Sequence, residues 1–348
     1  MKKAALFFRS IVFAITLIVL LNACNKEADN TPNPSPVKEF VGFVQPQEFP
    51  NPLYKFNNNP ITEKGFYLGK KLFYDGILSR DGSISCGSCH MQTAAFAHLD
   101  HSLSHGIDDL LGTRNSPSIQ NMAWNPFFFW DGGVMDLDLF PFSPIQNPVE
   151  MDEKLPNVIH KLRNHPEYPK LFKEAFNVDS INSKELMYAL SQFMNMLVSA
   201  NSRYDQYIRG NVNAMNADEV EGMNLFMQNC NSCHTAPLFT DNKFHNNGIA
   251  RFVDKGRQQI TLQDSDLYKF KTPTLRNIEK TFPYMHDGRM NTLEEVMNHY
   301  TSNIASTGTI DARLHGGITL SPNEKSKVLA FLKTLTDEEF LKNPLFAE

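Results

Sequence analysis

The chain has 348 residues, 41% hydrophobic and 20% charged, with 18 Gly and 20 Pro, a globular composition that excludes collagen-like, coiled-coil and wholly disordered chains. Its 33 basic and 38 acidic residues leave a net charge of −5, and no Lys/Arg-rich run offers a phosphate-tracking surface, so nucleic-acid binding is not expected. The length suits about two domains, each able to bury its own core.

Residues 1–23 read as an export signal. Lys2 and Lys3 form a positive start, and Ile11 to Leu21 is an apolar stretch broken only by Thr16. The run closes on Leu21-Asn22-Ala23-Cys24, which resembles the lipobox of bacterial lipoproteins and makes Cys24 the expected lipidation site. An uncleaved N-terminal anchor is the other reading. Cleavage would remove Lys2, Lys3 and Arg9 and no acid, leaving a net −8. Residues 24–40, rich in Asn and Pro, read as a disordered tether to a body exported and anchored to the cell envelope.

Thr62-Glu-Lys-Gly-Phe-Tyr-Leu-Gly-Lys-Lys-Leu-Phe then reads as a capped helix leading, through an insertion at Tyr74 to Ser85, to Cys86-Gly-Ser-Cys89-His90. Apolar spacings of three and four predict helices over Lys154–Leu162, Glu167–Phe176 and Ser183–Val198. The plan of the first helix returns in Asn216-Ala-Asp-Glu-Val-Glu-Gly-Met-Asn-Leu-Phe, with Asn216 as N-cap and acids in the first turn, before Cys230-Asn-Ser-Cys233-His234. Helices are also expected over Asn291–Tyr300 and Ser321–Leu335, the latter with Ser321 as N-cap and Pro322 at N1. Residues near 100–150 and 236–285 read as long loops, and no run alternates as a strand would. The fold class is mainly α.

Five cysteines are all accounted for by these positions. Cys-x-x-Cys alone fits a redox pair or half a zinc site. A histidine directly after it changes the chemistry, because the two sulfurs can add to the two vinyl groups of a haem while the imidazole meets the iron. Two copies in an exported chain therefore predict two covalent haems c, on Cys86 and Cys89 and on Cys230 and Cys233, with His90 and His234 as proximal ligands. Zinc and thioredoxin-like chemistry remain as lesser readings. The motifs lie 144 residues apart, and their helical flanks repeat, so two tandem cytochrome c-like domains are expected, over residues 41–212 and 213–348.

The residues between and after the motifs carry a specific likeness. Gly112-Thr-Arg114-Asn115-Ser-Pro117, Phe129-Trp130-Asp131-Gly132 and Asn147-Pro-Val-Glu150-Met151 precede Lys271-Thr-Pro273-Thr-Leu275-Arg276-Asn277 and Thr281-Phe-Pro283-Tyr284-Met-His286-Asp-Gly288. In order and spacing these strings resemble the dihaem cytochrome c peroxidase and MauG family, from about residue 60 to 335.

The resemblance implies that the N-terminal haem is where peroxide binds and that the C-terminal haem relays electrons, with both near the domain interface. It makes Trp130 the tryptophan between the haems, Glu150 the distal carboxylate that moves protons, and Pro144 a pocket proline. It makes Asn115, Thr281 and Pro283 the oxygen donors to an interdomain calcium ion. The plain alternatives are a core aromatic for Trp130, a solvated acid for Glu150 and a turn residue for Asn115. Three departures stand out: Gly133 where the family often has arginine, Phe140 in place of a pocket glutamine, and a longer loop holding His98, His101 and His105. His105 is the candidate for a removable sixth ligand on the first haem, against an ordinary surface histidine.

Fourteen residues after His286, where the peroxidases place an iron-ligating methionine, stands Tyr300, as in MauG-type members. Met285, Met290 and Met297 are its neighbouring rivals. Three functions follow from the resemblance. The first is peroxide reduction with electrons from a small cytochrome. The others are MauG-like oxidation of a partner protein and plain electron transfer. Membrane contact is expected only through the lipid, and whether two copies pair as a homodimer is open.

Overall fold

The computed structural model describes residues 39–99, 101–249 and 253–348. The export signal, Cys24 and the tether up to residue 38 lie outside them. No helix among the described residues is long and apolar enough to cross a membrane.

Twelve helices carry the described fold: α1 (Glu63–Tyr74), α2 (Cys86–Cys89), α3 (Phe142–Gln146), α4 (Leu155–Asn164), α5 (Tyr168–Phe176), α6 (Ser183–Met196), α7 (Arg203–Ile208), α8 (Ala217–Asn229), α9 (Gln258–Thr261), α10 (Leu293–Ser302), α11 (Pro322–Lys333) and α12 (Glu338–Leu341). Two short strands, β1 (Phe244–His245) and β2 (Phe270–Lys271), pair antiparallel. The mainly helical expectation holds. The small sheet and α7 have no counterpart in the periodicity, because two residues are too few to alternate and six too few to form a stripe.

The expected caps are present. Thr62 accepts the Gly65 N–H, and Asn216 and Ser321 each form a capping box, with Glu219 and Glu324. Each box satisfies backbone donors that the first turn of a helix leaves orphaned.

Apolar side chains gather in two main cores. One holds Phe66, Leu72 and Phe73 of α1 with Phe96, Leu162, Phe172 and Phe193; the other holds Phe226, Phe239, Met297 and Phe331. The boundary is crossed by the end of the chain, since Phe340, Leu341, Leu345 and Phe346 pack into the first core.

The sequence repeat becomes a repeated helix crossing. α1 lies on α6, and α8 on α11. Each crossing is close because of one glycine: a Cβ on Gly69 would collide with the Ala189 carbonyl and press on Phe193, and a Cβ on Gly222 would collide with the Lys327 carbonyl and press on Phe331. The next aromatic on each first helix then stacks on the same partner, Phe73 on Phe193 at 4.9 Å and Phe226 on Phe331 at 5.1 Å. Such pairs add about 0.5–1.5 kcal/mol beyond their burial.

Gly69→Ala and Gly222→Ala should each destabilise the protein by about 1–3 kcal/mol, the range for overpacking a closed contact. Chemical denaturation checks this, and unchanged midpoints would mean that the helices do not approach as described.

Candidate functional site

Both Cys-x-x-Cys-His segments coil into one tight turn. Ser85 and Ser88 cap α2 reciprocally, and the His90 N–H donates to the Cys86 carbonyl at 3.0 Å. The second segment leaves α8 at Cys230, and the His234 N–H reaches the Cys230 carbonyl at 2.9 Å. The four described cysteines are unpaired thiols. Burial pushes Cys86 and Cys230 up to about 12 and Cys89 up to about 11. A redox pair draws on thiolate, so these neutral sulfurs do not suit one. Near Cys233, His245 lies between two carboxylates, Asp241 at 2.8 Å from Nε2 and Asp311 at 2.7 Å from Nδ1.

The histidines are oriented alike. His90 Nδ1 lies 2.7 Å from the Phe96 carbonyl, and His234 Nδ1 lies 3.2 Å from that of Phe239. A carbonyl only accepts, so Nδ1 carries the proton and Nε2 keeps its lone pair for a metal. Burial pushes both imidazoles down to about 4, holding them neutral at pH 7, the form that ligates iron.

Around the first motif, Glu150 sits on the turn after α3, with Pro144 inside that helix. Burial raises its carboxyl above the usual range, opposed by the Asn147 amide, whose Nδ2 donates to Oε1 at 2.6 Å. The Glu150 charge is felt at Cys86 and Cys89, which places the acid beside the motif. The histidine loop closes on this turn. Ile107 N–H donates to the Glu150 carbonyl at 2.8 Å, and a Cβ on Gly106 would collide with Val149 and Glu150 backbone. Arg80 clamps the loop to the turn, with Asp108 and Asp152 each at 2.7 Å. The His105 ring faces outward to Asp109 at 2.6 Å, while its carbonyl accepts from Cys89 Sγ at 3.6 Å. His98 is buried, and its charge acts on His90. The His101 ring lies between those of His98 and His105, at 5.5 and 4.9 Å.

The second motif opens on a cavity of about 260 Å³, which brings Cys230, Cys233 and His234 together with Tyr300, Met285, Met297 and Trp130. Met290 is half-buried against the second core and does not line it. Burial pushes the Tyr300 hydroxyl up to about 12, and the Cys233 and Cys230 sulfurs act on it. Trp130 is held at two points: its indole N–H donates to the Asn115 carbonyl at 2.8 Å, and its own carbonyl accepts from the Lys271 N–H at 2.7 Å. Gly132, with φ of +70°, lets the chain turn under Phe244 and Arg257. Phe140 lines the cavity and packs on Phe129 at 4.8 Å. Asn115, Thr281 and Pro283 line it too, and Asn115 Nδ2 donates to the Ser102 carbonyl, which turns Oδ1 away as the free end of the amide.

Lys271 tests whether this cavity fits a haem. It lines the cavity, half-buried, and its ammonium donates to Asn242 Oδ1 at 3.4 Å. Burial pushes it down to about 8. Asp241 opposes that shift, and a haem would bring two propionates as further anions to a cavity that already offers two sulfurs and an imidazole. The residues fit the group. Sequence reasoning had no means of finding Lys271, Asn247 or Arg80, since a lysine before Thr-Pro or an asparagine in a polar loop reads as surface.

Residues 63–213 match the family described as di-haem cytochrome c peroxidase. The chain is 33% identical over 302 residues to the methylamine utilization protein MauG of Methylorubrum extorquens, covering 85% of this chain and 84% of that one. It is 35% identical over 279 residues to the cytochrome c551 peroxidase of Nitrosomonas europaea, covering 78% and 80%. Among solved structures, a MauG-like protein associated with microbial copper homeostasis superposes with a TM-score of 0.81 at 31% identity, over 88% of this chain and 98% of that one. The diheme peroxidase BthA of Burkholderia thailandensis shares the fold at a TM-score of 0.69 and 20% identity, over 81% and 88%. Identity of this level across most of both sequences places the chain in the dihaem cytochrome c peroxidase and MauG family.

Proposed function

We propose that this protein is a haem-dependent peroxidase that reduces hydrogen peroxide to two waters with two electrons from a small cytochrome-type donor. The observation that carries the reading is the half-buried Glu150 beside the first of two matching Cys-x-x-Cys-His turns, with its carbonyl holding the histidine loop through the Ile107 N–H. In this reading the two halves are cytochrome c-like, near residues 41–212 and 213–348, each holds one haem c close to their interface, and Cys24 anchors the exported protein to a membrane by its lipid.

The haems supply the redox-active iron at which peroxide is bound and through which electrons arrive. The chain supplies the proton path. Breaking the O–O bond evenly in charge requires a proton to move from one peroxide oxygen to the other, so that the departing oxygen leaves as water. Asn147 occupies Glu150 Oε1, which leaves Oε2 as the atom that takes and returns the proton. A carboxyl raised by burial is neutral over more of the pH range and returns a proton more readily. Trp130, fixed at both its indole and its carbonyl, provides an aromatic bridge between the halves. His105 serves as the removable sixth ligand of the first haem, with Asp109 as its partner when it is off the iron. Asn115, Thr281 and Pro283 offer oxygens from both halves to a calcium ion that sets the halves' spacing.

Tyr300 favours a second, MauG-like element in this chemistry. It lines the second cavity together with His234 and would ligate the iron that His234 would hold. A phenolate is a hard, anionic ligand that favours Fe(III), whereas a thioether favours Fe(II). A tyrosine-ligated haem is a poor reservoir for a stored electron and is better suited to giving one up from the ferric state.

Three measurements test these assignments. Mass spectrometry should find two covalent haems, and Cys86→Ala/Cys89→Ala should retain one; two on that variant would refute the first attachment site. Glu150→Gln should keep the haem spectra and lower peroxide turnover by about 10²-fold or more, whereas near-normal turnover would remove Glu150 from the proton path. Tyr300→Met should raise the potential of the second haem, add a methionine–iron absorption band and make activity depend on prior reduction. A methionine band already present in the parent protein would assign the ligand to a neighbouring methionine instead.

A further inference from the structure

The second cavity holds two side chains able to ligate one iron, and one amide touches both. Asn247 Nδ2 lies 3.4 Å from Tyr300 Oη and 3.5 Å from Met285 Sδ. The Ile249 N–H donates to Asn247 Oδ1 at 3.4 Å, so the nitrogen end of the amide is the one turned to the cavity. The backbone is fixed as well, because His299 Nε2 meets the Asn247 carbonyl at 2.9 Å. His299 is buried and sits one residue before Tyr300 on α10, so amide and phenol are tied to each other through the helix. Met285 is held with φ of +75°, a backbone conformation uncommon for a residue other than glycine, beside the Pro283 and His286 that also line the cavity.

The chemistry of the two contacts differs. An NH2 group has two protons and can donate one to each neighbour. Donation to the phenol oxygen holds that oxygen at the amide's edge of the cavity. Donation to the thioether engages one of the sulfur's two lone pairs and holds the sulfur turned to the amide.

We propose that Asn247 is the positioning residue that holds Met285 off the second haem iron and leaves that coordination position to Tyr300. The inference rests on the reading that Tyr300 is the ligand, and it adds why a competing sulfur in the same cavity does not replace it. The competition is sharpest in the ferrous state, where iron prefers the softer thioether and the phenolate is at its weakest.

The test uses the full haem-loaded protein and the spectrum of its second haem after reduction. The parent should show no methionine ligation in either oxidation state. Asn247→Leu should convert the reduced haem to a low-spin, methionine-ligated form and slow its binding of carbon monoxide by tenfold or more. Asn247→Leu/Met285→Leu should restore the parent's reduced spectrum, which a merely structural role for Asn247 would not produce. If Asn247→Leu does not load haem, Asn247→Asp, of the same size and without the N–H donors, gives the same comparison. A parent-like reduced spectrum in the Asn247 variant overturns the proposal. Tyr300→Phe separates it from the reading beneath it. An unchanged ferric spectrum there shows that Tyr300 is not the ligand. A changed one, together with an inert Asn247 variant, leaves the ligand standing and removes Asn247 from its control.

Discussion

The arrangement of the second half depends on one buried ion pair. Arg276 is fully buried and grips Asp205 with both ends of its guanidinium, at 2.8 and 2.9 Å. Its Nε–H donates to the Pro237 carbonyl at 2.9 Å, and its planar face lies over Phe239 at 5.7 Å and Phe49 at 4.7 Å. Pro237 and Phe239 form the loop just after His234, and the Phe239 carbonyl sets the tautomer of that histidine. A charge buried among aromatic rings thus steadies the loop that sets the direction of the His234 ring. Removing one partner of such a pair costs about 3–5 kcal/mol, because the other charge is left stranded.

The neighbouring Asn277 does the same for the junction between the halves. Its amide donates to Gln120 Oε1 at 2.7 Å and to Ser199 Oγ at 2.9 Å, and its oxygen accepts the Asp337 N–H at 2.7 Å. Arg114, in the other family string, spans Asp131 and Asp254 and so ties the tryptophan turn to the far loop. These strings are built mainly from residues that hold other residues. The two haem motifs share one scaffold of glycine-spaced helices, yet their surroundings diverge. The first is met by an acid and a histidine-rich loop, the second by a tyrosine, a methionine and a half-buried lysine. One scaffold can support two chemistries because the loops carry the difference.

The haem motifs, the helical repeat and the caps at Thr62, Asn216 and Ser321 were legible because each obeys a local rule: fixed spacing, 3.6-residue periodicity, or a side chain bonding three residues on. Trp130 and Glu150 drew attention only through the family likeness; taken alone, Phe127-Phe-Phe-Trp130 reads as core and Glu150 as solvent. Lys271 and Asn247 stayed hidden for a physical reason. Their meaning comes from what lies opposite across the cavity, 29 and 38 residues away in the case of Asn242 and Met285, and no local pattern reports such a pairing.

The segment around α12 gives the chain an order of completion. Phe340, Leu341, Leu345 and Phe346 belong to the first core, Tyr74 donates to the Phe346 carbonyl, and Gln92, two residues after His90, donates to the carbonyls of Phe340 and Asn343. The core beside the first haem motif therefore stays open until residues some 250 positions downstream arrive. For a chain made from its N-terminus, the first Cys-x-x-Cys-His turn is synthesised early but closes late. Its cysteines stay accessible throughout that interval, and the turn is sealed only once α12 and the residues after it have packed.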